Sequence, residues 1–291
     1  MAQAVLGIIG GSGFYDVALD NARSERIDSP WGAPSEALRI GEIAGLPTVF
    51  LPRHGRGHPL SPSDINYRAN IDVLKRAGVT DLVSVSACGS FREALSPGTF
   101  VIVDQFIDRT FARPKSFFGP GCVAHVSVAE PVSPRLADRV EAAARGEAIR
   151  FHRGGSYLAM EGPQFSTLAE SNLYRSWGCD VIGMTNMPEA KLAREAEICY
   201  STVAMVTDYD SWHPDHGSVD ITSIIKVMQA NAESARKLVA RLAADFPSEH
   251  EPCPIGSDTA LEHAIITAPE ARDPQLVAKL DAVAGRVLGR G

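Results

Sequence analysis

The sequence predicts an α/β fold: a single-domain mixed β-sheet surrounded by helices. Three observations lead there. Short apolar runs alternate with amphipathic stretches through most of the 291 residues, as happens when strands and covering helices succeed one another. A hydrophobic content of 45% is enough for a substantial core. The longest amphipathic stretch, 218–245, sets Ile221, Ile224, Ile225, Met228, Ala232, Ala235 and Leu238 at three- and four-residue spacing, one helical face.

Strands are predicted over 4–9, 36–41, 47–52, 81–86, 99–104, 156–160, 180–183 and 199–206. Helices are predicted over 63–77, 133–145, 167–177, 188–197 and 218–245. Residues 1–245 read as one domain. Within 246–291, the stretch from Phe246 to Pro274 loses periodicity and gains Pro, Ser, Glu and His, and a helix candidate over 274–288 follows it. This partly helical C-terminal extension is either loosely held or an arm over a neighbouring subunit.

The charge balance, 28 basic against 35 acidic residues, gives −7 and argues against a nucleic-acid-binding surface. No apolar run reaches the length of a membrane span. The N-terminus lacks a basic n-region and enters a strand directly, unlike a secretory signal. Five scattered cysteines without C-x-x-C spacing offer neither a zinc site nor a dithiol. A reducing cytoplasm and no metal are expected.

In such sheets ligands bind beyond the carboxyl ends of strands, so each end is informative. The first strand runs into Gly10-Gly11-Ser12-Gly13, where glycines let the backbone turn its N–H groups toward an anion and Ser12 adds a donor. A dinucleotide loop is the rival, but Asp16 stands where that fingerprint wants a small residue. The third strand ends in Arg53-His54-Gly55-Arg56-Gly57-His58, four potentially cationic side chains suited to an anion. Residues 82–86 continue into Ala87-Cys88-Gly89-Ser90; Ser86 and Ala87 complete a phosphate cradle with Ser12, Arg53 and His54. Phe165 suits stacking on a flat ring and Ser166 bonding to its edge, although a core Phe165 is equally compatible. Met184 and Thr185 suit one face of a sugar.

The run 200–206 ends in Thr207-Asp208-Tyr209-Asp210. Side chains at i and i+2 of an extended segment share a direction, so Asp208 and Asp210 can converge on one object beyond the strand. The alternative is a helix N-cap, a favoured place for Asp.

These segments in this order resemble the methylthioadenosine phosphorylases, in the trimeric branch of the purine nucleoside phosphorylase family. The matching pieces are Gly-Ile-Ile-Gly-Gly-Ser-Gly from Gly7, Arg-His-Gly-Arg-Gly-His from Arg53, Ser-Ala-Cys-Gly-Ser from Ser86, and Asp-Gln-Phe-Ile-Asp-Arg-Thr from Asp104. Glu-Gly-Pro-Gln-Phe-Ser from Glu161, Met184-Thr185 and Thr-Asp-Tyr-Asp-Ser-Trp from Thr207 complete the set. The resemblance implies phosphate on Ser12, Arg53, His54, Ser86 and Ala87, with Thr185 and Thr207 assisting at the phosphate and sugar edges. It implies ribose near Met184, and adenine held by Phe165, Ser166, Asp208 and Asp210. It also implies a 5′-group pocket of Ile221 and Ile225, with His125 reaching across from a neighbouring subunit of a homotrimer. Many relatives carry Thr where this chain has Ser12 and Ser86; both keep the hydroxyl.

The implied reaction is phosphorolysis of 5′-methylthioadenosine to adenine and 5-methylthioribose 1-phosphate, a step of methionine and purine salvage. Inorganic phosphate is co-substrate and no cofactor is needed. Asp208 serves the purine N7, and Asp210 accepts from the 6-amino group, which favours adenine over a 6-oxopurine. The alternatives are a phosphorylase for methylthioinosine, inosine, guanosine or adenosine, or a non-catalytic nucleoside-binding protein. A dehydrogenase and a serine hydrolase are weaker rivals. The loop 211–218, with Pro214 and Gly217, is a candidate gate.

Overall fold

A computed structural model describes residues 2–214 and 221–289, the side chains of 221–223 excepted. Eleven strands form one sheet among them: β1 (Leu6–Gly10), β2 (Asp20–Glu25), β3 (Leu38–Ile43), β4 (Leu46–Pro52), β5 (Asp81–Ser90), β6 (Phe100–Ile102), β7 (Gln105–Arg109), β8 (Phe151–Arg153), β9 (Ser156–Met160), β10 (Val181–Gly183) and β11 (Cys199–Asp208). The helices are α1 (Tyr67–Arg76), α2 (Pro134–Gly146), α3 (Leu168–Ser176), α4 (Asn186–Glu195), α5 (Ile221–Ala244), α6 (Pro274–Lys279) and α7 (Asp281–Leu288).

Strand β5 is the axis of the sheet. Its first half lies parallel between β1 and β11, and its last residues pair antiparallel with β10. Strands β1 and β4 run parallel to each other, so Gly10 and Pro52 end side by side. The carboxyl ends of β1, β4, β5 and β11 therefore open toward one region.

Neighbouring strand residues point to opposite faces, and both faces are dry. Val49, Leu51 and Leu82 pack with Ile71 and Leu74 of α1, Leu192 of α4 and Val283 of α7. Phe50, Val83 and Ile8 pack with Leu136 and Val140 of α2 and with Ala235 and Leu238 of α5. Helix starts carry side-chain caps: Asn66 accepts from the Ala69 N–H, and Thr167 with Glu170 forms a capping box.

Three strands lay outside the sequence expectations. Strand β2 is an exposed polar edge (Asp-Asn-Ala-Arg-Ser-Glu), and the short β7 and β8 contain charged residues. None has the apolar pattern that reveals a strand. The expected single helix over 274–288 is two helices meeting at Leu280.

The C-terminal segment packs on its own chain rather than hanging loosely from it. Ala4 N–H donates to the Ser248 carbonyl and His250 N–H to the Ala2 carbonyl. Arg194 donates to Ser257 Oγ at 2.6 Å and to the Ile255 carbonyl at 3.0 Å. Arg286 grips Glu197 with Nε and Nη2, both at 2.7 Å. Leu280 is 0% exposed. Leu280→Ala should therefore cost about 2–5 kcal/mol of stability, as for a core leucine. Urea unfolding measures this; a loss within experimental error would mean the segment is not part of the cooperative fold.

Candidate active site

A cavity of about 630 Å³ lies at the carboxyl ends of β1, β4, β5 and β11. It is lined by Ser12, Arg53, His54, Ser86, Ala87, Phe165, Met184, Thr185, Thr207, Asp208, Asp210 and Ile225, all singled out from sequence. Ser166 is buried behind this lining, its Oγ 3.7 Å from Met160 Sδ and its carbonyl accepting from Ser211 Oγ at 2.7 Å. His125 is exposed on this chain, away from the cavity, where its N–H donates to the Ala264 carbonyl. The Ile221 side chain and residues 215–218 of the 211–218 loop lie outside the described residues.

Two glycines make the close approaches possible. A Cβ on Gly11 would sit 2.7 Å from Arg53 Nη1 and 2.8 Å from the Val85 carbonyl. A Cβ on Gly89 would meet Asp208 Oδ1 at 3.0 Å and Asp210 Cβ at 3.2 Å. Only the absence of a side chain lets the β1 turn reach β5, and lets the two aspartates press against β5. Along β5, Ser86 pairs with Ala204 and Gly89 with Asp208. Three residues of strand, roughly 10 Å, thus separate the Ser86 end from the aspartate end.

At the Ser86 end the expected cluster of four cations takes another form. Arg53 is 0% exposed, and Glu189 of α4 neutralises it through Nε at 2.7 Å and Nη2 at 3.1 Å. Nη2 also donates to Ser84 Oγ at 2.6 Å. Only Nη1, 3.3 Å from the Val85 carbonyl, is left toward the cavity. Burial, together with the charges of Arg53, His58 and Arg113, pushes His54 down to about 3, so its imidazole is neutral. His58 stacks on it with ring centroids 3.9 Å apart, is likewise lowered by burial, and meets Tyr15 Oη through Nδ1 at 2.8 Å. Arg56 is exposed and does not line the cavity. This end offers directed hydrogen bonds more than net positive charge.

At the other end Asp208 and Asp210 do converge, but not for the reason an extended strand supplies. Strand β11 stops at Asp208 after a register shift at Val206, and Asp210 sits in a turn with φ of +53°. A left-handed turn, to which Asp is tolerant, brings the second carboxyl round. Asp208 Oδ1 accepts from the Asp210 N–H at 2.7 Å, and Oδ2 lies 2.7 Å from Thr207 Oγ1. Thr207 Oγ1 also lies 3.1 Å from the Cys88 carbonyl. One hydroxyl proton cannot serve both acceptors. Both contacts are satisfied when Asp208 carries a proton on Oδ2 and Thr207 donates to Cys88.

The electrostatics agree. Burial pushes the Asp208 carboxyl up; the bonds from Thr207 and the Asp210 N–H offset part of this, and the Asp210 charge adds to it. Burial pushes Asp210 up as well, with nearby Ser171, Ser211 and Ser166 offsetting part. Asp210 Oδ2 is nevertheless buried without a hydrogen bond of good geometry.

Several residues that build the site had no signal in the sequence. Glu189 lies in an ordinary amphipathic helix and meets Arg53 across 136 positions. Arg113 braces the strand end before the cavity by donating to the Met187 carbonyl at 2.9 Å and the Glu161 carbonyl at 2.6 Å. Ile224 and Met228 of α5 line the cavity, whereas Ala232, Ala235 and Leu238 of the same face are core. Among the described residues no cluster of His, Cys, Asp and Glu could hold a metal ion, and no helix is long and apolar enough to cross a membrane.

The Phosphorylase superfamily sequence pattern matches residues 5–244. The chain is 71% identical to the S-methyl-5′-thioadenosine phosphorylase of Bradyrhizobium diazoefficiens over 99% of both chains. It is 65% identical to that of Cereibacter sphaeroides, covering 98% of this chain and 99% of the relative. Its fold matches a crystal structure of a methylthioadenosine phosphorylase from an antarctic soil metagenomic library, with a TM-score of 0.90, 46% identity and coverage of 97% and 99%. The Schistosoma mansoni methylthioadenosine phosphorylase in complex with tubercidin matches with a TM-score of 0.78, 35% identity and coverage of 83% and 91%.

The Arg53–Glu189 pair carries a stability consequence. Glu189→Ala strands a fully buried guanidinium and should cost about 3–5 kcal/mol. Chemical denaturation checks this, and a cost below about 1 kcal/mol would mean the pair is solvated.

Proposed function

We infer the reaction from kinship: the chain belongs to the Phosphorylase superfamily and, within it, to the S-methyl-5′-thioadenosine phosphorylases. It is a pentosyltransferase that carries out phosphorolysis of 5′-methylthioadenosine, releasing adenine and 5-methylthioribose 1-phosphate. The observation that supports a mechanism is a single cavity with oriented polar groups at one end and two carboxyls of raised pKa at the other.

We propose the following division of labour. Phosphate lies against Ser12, His54, Ser86, Ala87 and Thr185, with Arg53 Nη1 behind. Ribose rests on Met184, with Thr207 nearby. Adenine lies between Phe165 and the aspartate pair, with Ser166 bracing the wall behind it. Ile225, with Ile221, takes the 5′-methylthio group.

As the C1′–N9 bond breaks, the sugar becomes cationic and the purine anionic. Phosphate faces the sugar as both counter-charge and nucleophile, forming its bond to C1′ as the electron pair of the C1′–N9 bond leaves with adenine. Holding the two reactants side by side contributes on the order of 7–11 kcal/mol of barrier lowering. Asp208, whose protonated form burial favours, turns its Oδ2 proton from Thr207 to N7 as charge develops there. Asp210, whose Oδ2 makes no hydrogen bond of good geometry within the chain, accepts from the 6-amino group. No cofactor enters this scheme.

The assembly we propose is a homotrimer in which His125 of one copy reaches the cavity of the next. Phe111 (81% exposed), Leu168 and Trp177 form apolar surface of the kind another copy covers. A cytoplasmic location fits five cysteines that are all free thiols.

Base release from 5′-methylthioadenosine, followed by absorbance, should require phosphate. Asp208→Asn should lower turnover about 10²–10⁴-fold. The native Asp208 holds its proton to higher pH than the unfolded chain does, so stability from this group is present at low pH and lost as pH rises through the native pKa. The neutral isostere escapes that loss. Asp208→Asn should therefore match or exceed the parent in thermal stability at neutral pH while losing activity. Near-parental turnover would remove Asp208 from proton transfer.

A further inference from the structure

Beneath the cavity the Tyr200, Thr202 and Ser86 hydroxyl protons have definite directions. Asn186, fully buried, lies with one end of its amide 2.8 Å from Tyr200 Oη, 2.6 Å from Thr202 Oγ1 and 3.2 Å from Ser84 Oγ. Tyr200 donates its proton to Glu189 Oε1 at 3.0 Å, and Thr202 donates to the Ser84 carbonyl at 3.1 Å. Ser84 Oγ already accepts from Arg53 Nη2. Tyr200 and Thr202, their protons already committed, can only accept, and two acceptors take the two protons of an NH₂; that end is therefore Nδ2 and the opposite end is the carbonyl oxygen.

Ser86 Oγ lies 2.9 Å from that oxygen. A carbonyl only accepts, so the Ser86 proton turns away from the cavity and lone pairs face in. Tyr157, whose buried hydroxyl makes no hydrogen bond of good geometry, is its other neighbour.

His54 reaches the same result by another route. Its Nδ1 lies 2.8 Å from the Leu60 carbonyl oxygen and must therefore carry the ring proton. In the neutral ring Nε2 is then a bare acceptor. Burial keeps the ring neutral, holding it near 3. No described residue hydrogen-bonds Nε2, and His54 lines the cavity.

Resting on the reading of this end as the phosphate subsite, we propose that Ser86 and His54 act there as hydrogen-bond acceptors. The subsite thereby selects an oxyanion that still carries a proton, as hydrogenphosphate does, over one of similar shape and charge that carries none. The hydroxyls of Ser12 and Thr185 and Arg53 Nη1 serve the bare oxygens, while the protonated oxygen donates to His54 Nε2 or Ser86 Oγ. An aprotic dianion would turn lone pairs onto lone pairs, leaving the acceptors unsatisfied. This is a specificity role opposite to the donor role usual for anion contacts.

Isothermal titration of the intact protein with inorganic phosphate, arsenate and sulfate at neutral pH and matched ionic strength tests the idea. Arsenate retains a proton there and sulfate does not. Arsenate should bind within a few-fold of phosphate, and sulfate at least about tenfold more weakly. Sulfate binding as tightly as arsenate would overturn the proposal while leaving the phosphate reading intact. Failure of phosphate and arsenate alike to bind would overturn that reading itself. ¹⁵N NMR of imidazole-labelled, phosphate-bound protein gives a second readout: His54 Nε2 should show the unprotonated, pyridine-type shift, and a protonated Nε2 would sink the assignment.

Discussion

The buried pair of Arg53 and Glu189 is the interaction on which the rest of the site depends. It joins the end of β4 to α4 at the level where β1 finishes, beside the middle of β5. Both side chains are almost wholly removed from water, so neither charge is tolerable without the other. Glu189 also receives the Tyr200 hydroxyl, and Arg53 also reaches Ser84. Through those contacts the pair sets the direction of the hydroxyls and the Asn186 amide beneath the cavity. A charge pair usually described as structural thus decides which way protons point in a binding site.

That arrangement changes what an arginine and a histidine mean at this position. Taken singly, Arg53 and His54 suggest a cationic grip on an anion. Together with Glu189, Leu60 and the stacked His58 they form a nearly neutral, strongly oriented surface. Orientation without excess charge discriminates by hydrogen-bond pattern, because a mismatched buried acceptor cannot turn to water.

The opposite end uses burial in another way. Asp208 and Asp210 are drawn against Gly89 of β5, where poor hydration favours their protonated forms. A carboxyl that keeps its proton suits an anionic leaving group. The same burial disfavours the ionised native state, so activity and stability oppose one another at this residue.

Much of the fold was legible, because apolar periodicity reflects burial and the strands near the centre of the sheet are buried on both faces. The candidate strands and helices of the first 245 residues all correspond to observed elements, with ends shifted by a few residues. Strand β2, exposed and polar, escaped because its partners rather than its side chains make it a strand. Most of the cavity lining was legible too, since the Gly-Ser, Arg-His and Asp-Tyr-Asp steps stand at strand ends, while Ser86-Ala87 lie within β5, which runs on to Ser90. What the amino-acid sequence determined by itself was which groups arrive at the ends of which strands. Only the tertiary structure decided their protonation and the direction of their hydrogen bonds. Those depend on partners such as Glu189 and Asn186, brought to Arg53 and Ser86 from 136 and 100 residues away, and on burial that no local pattern encodes.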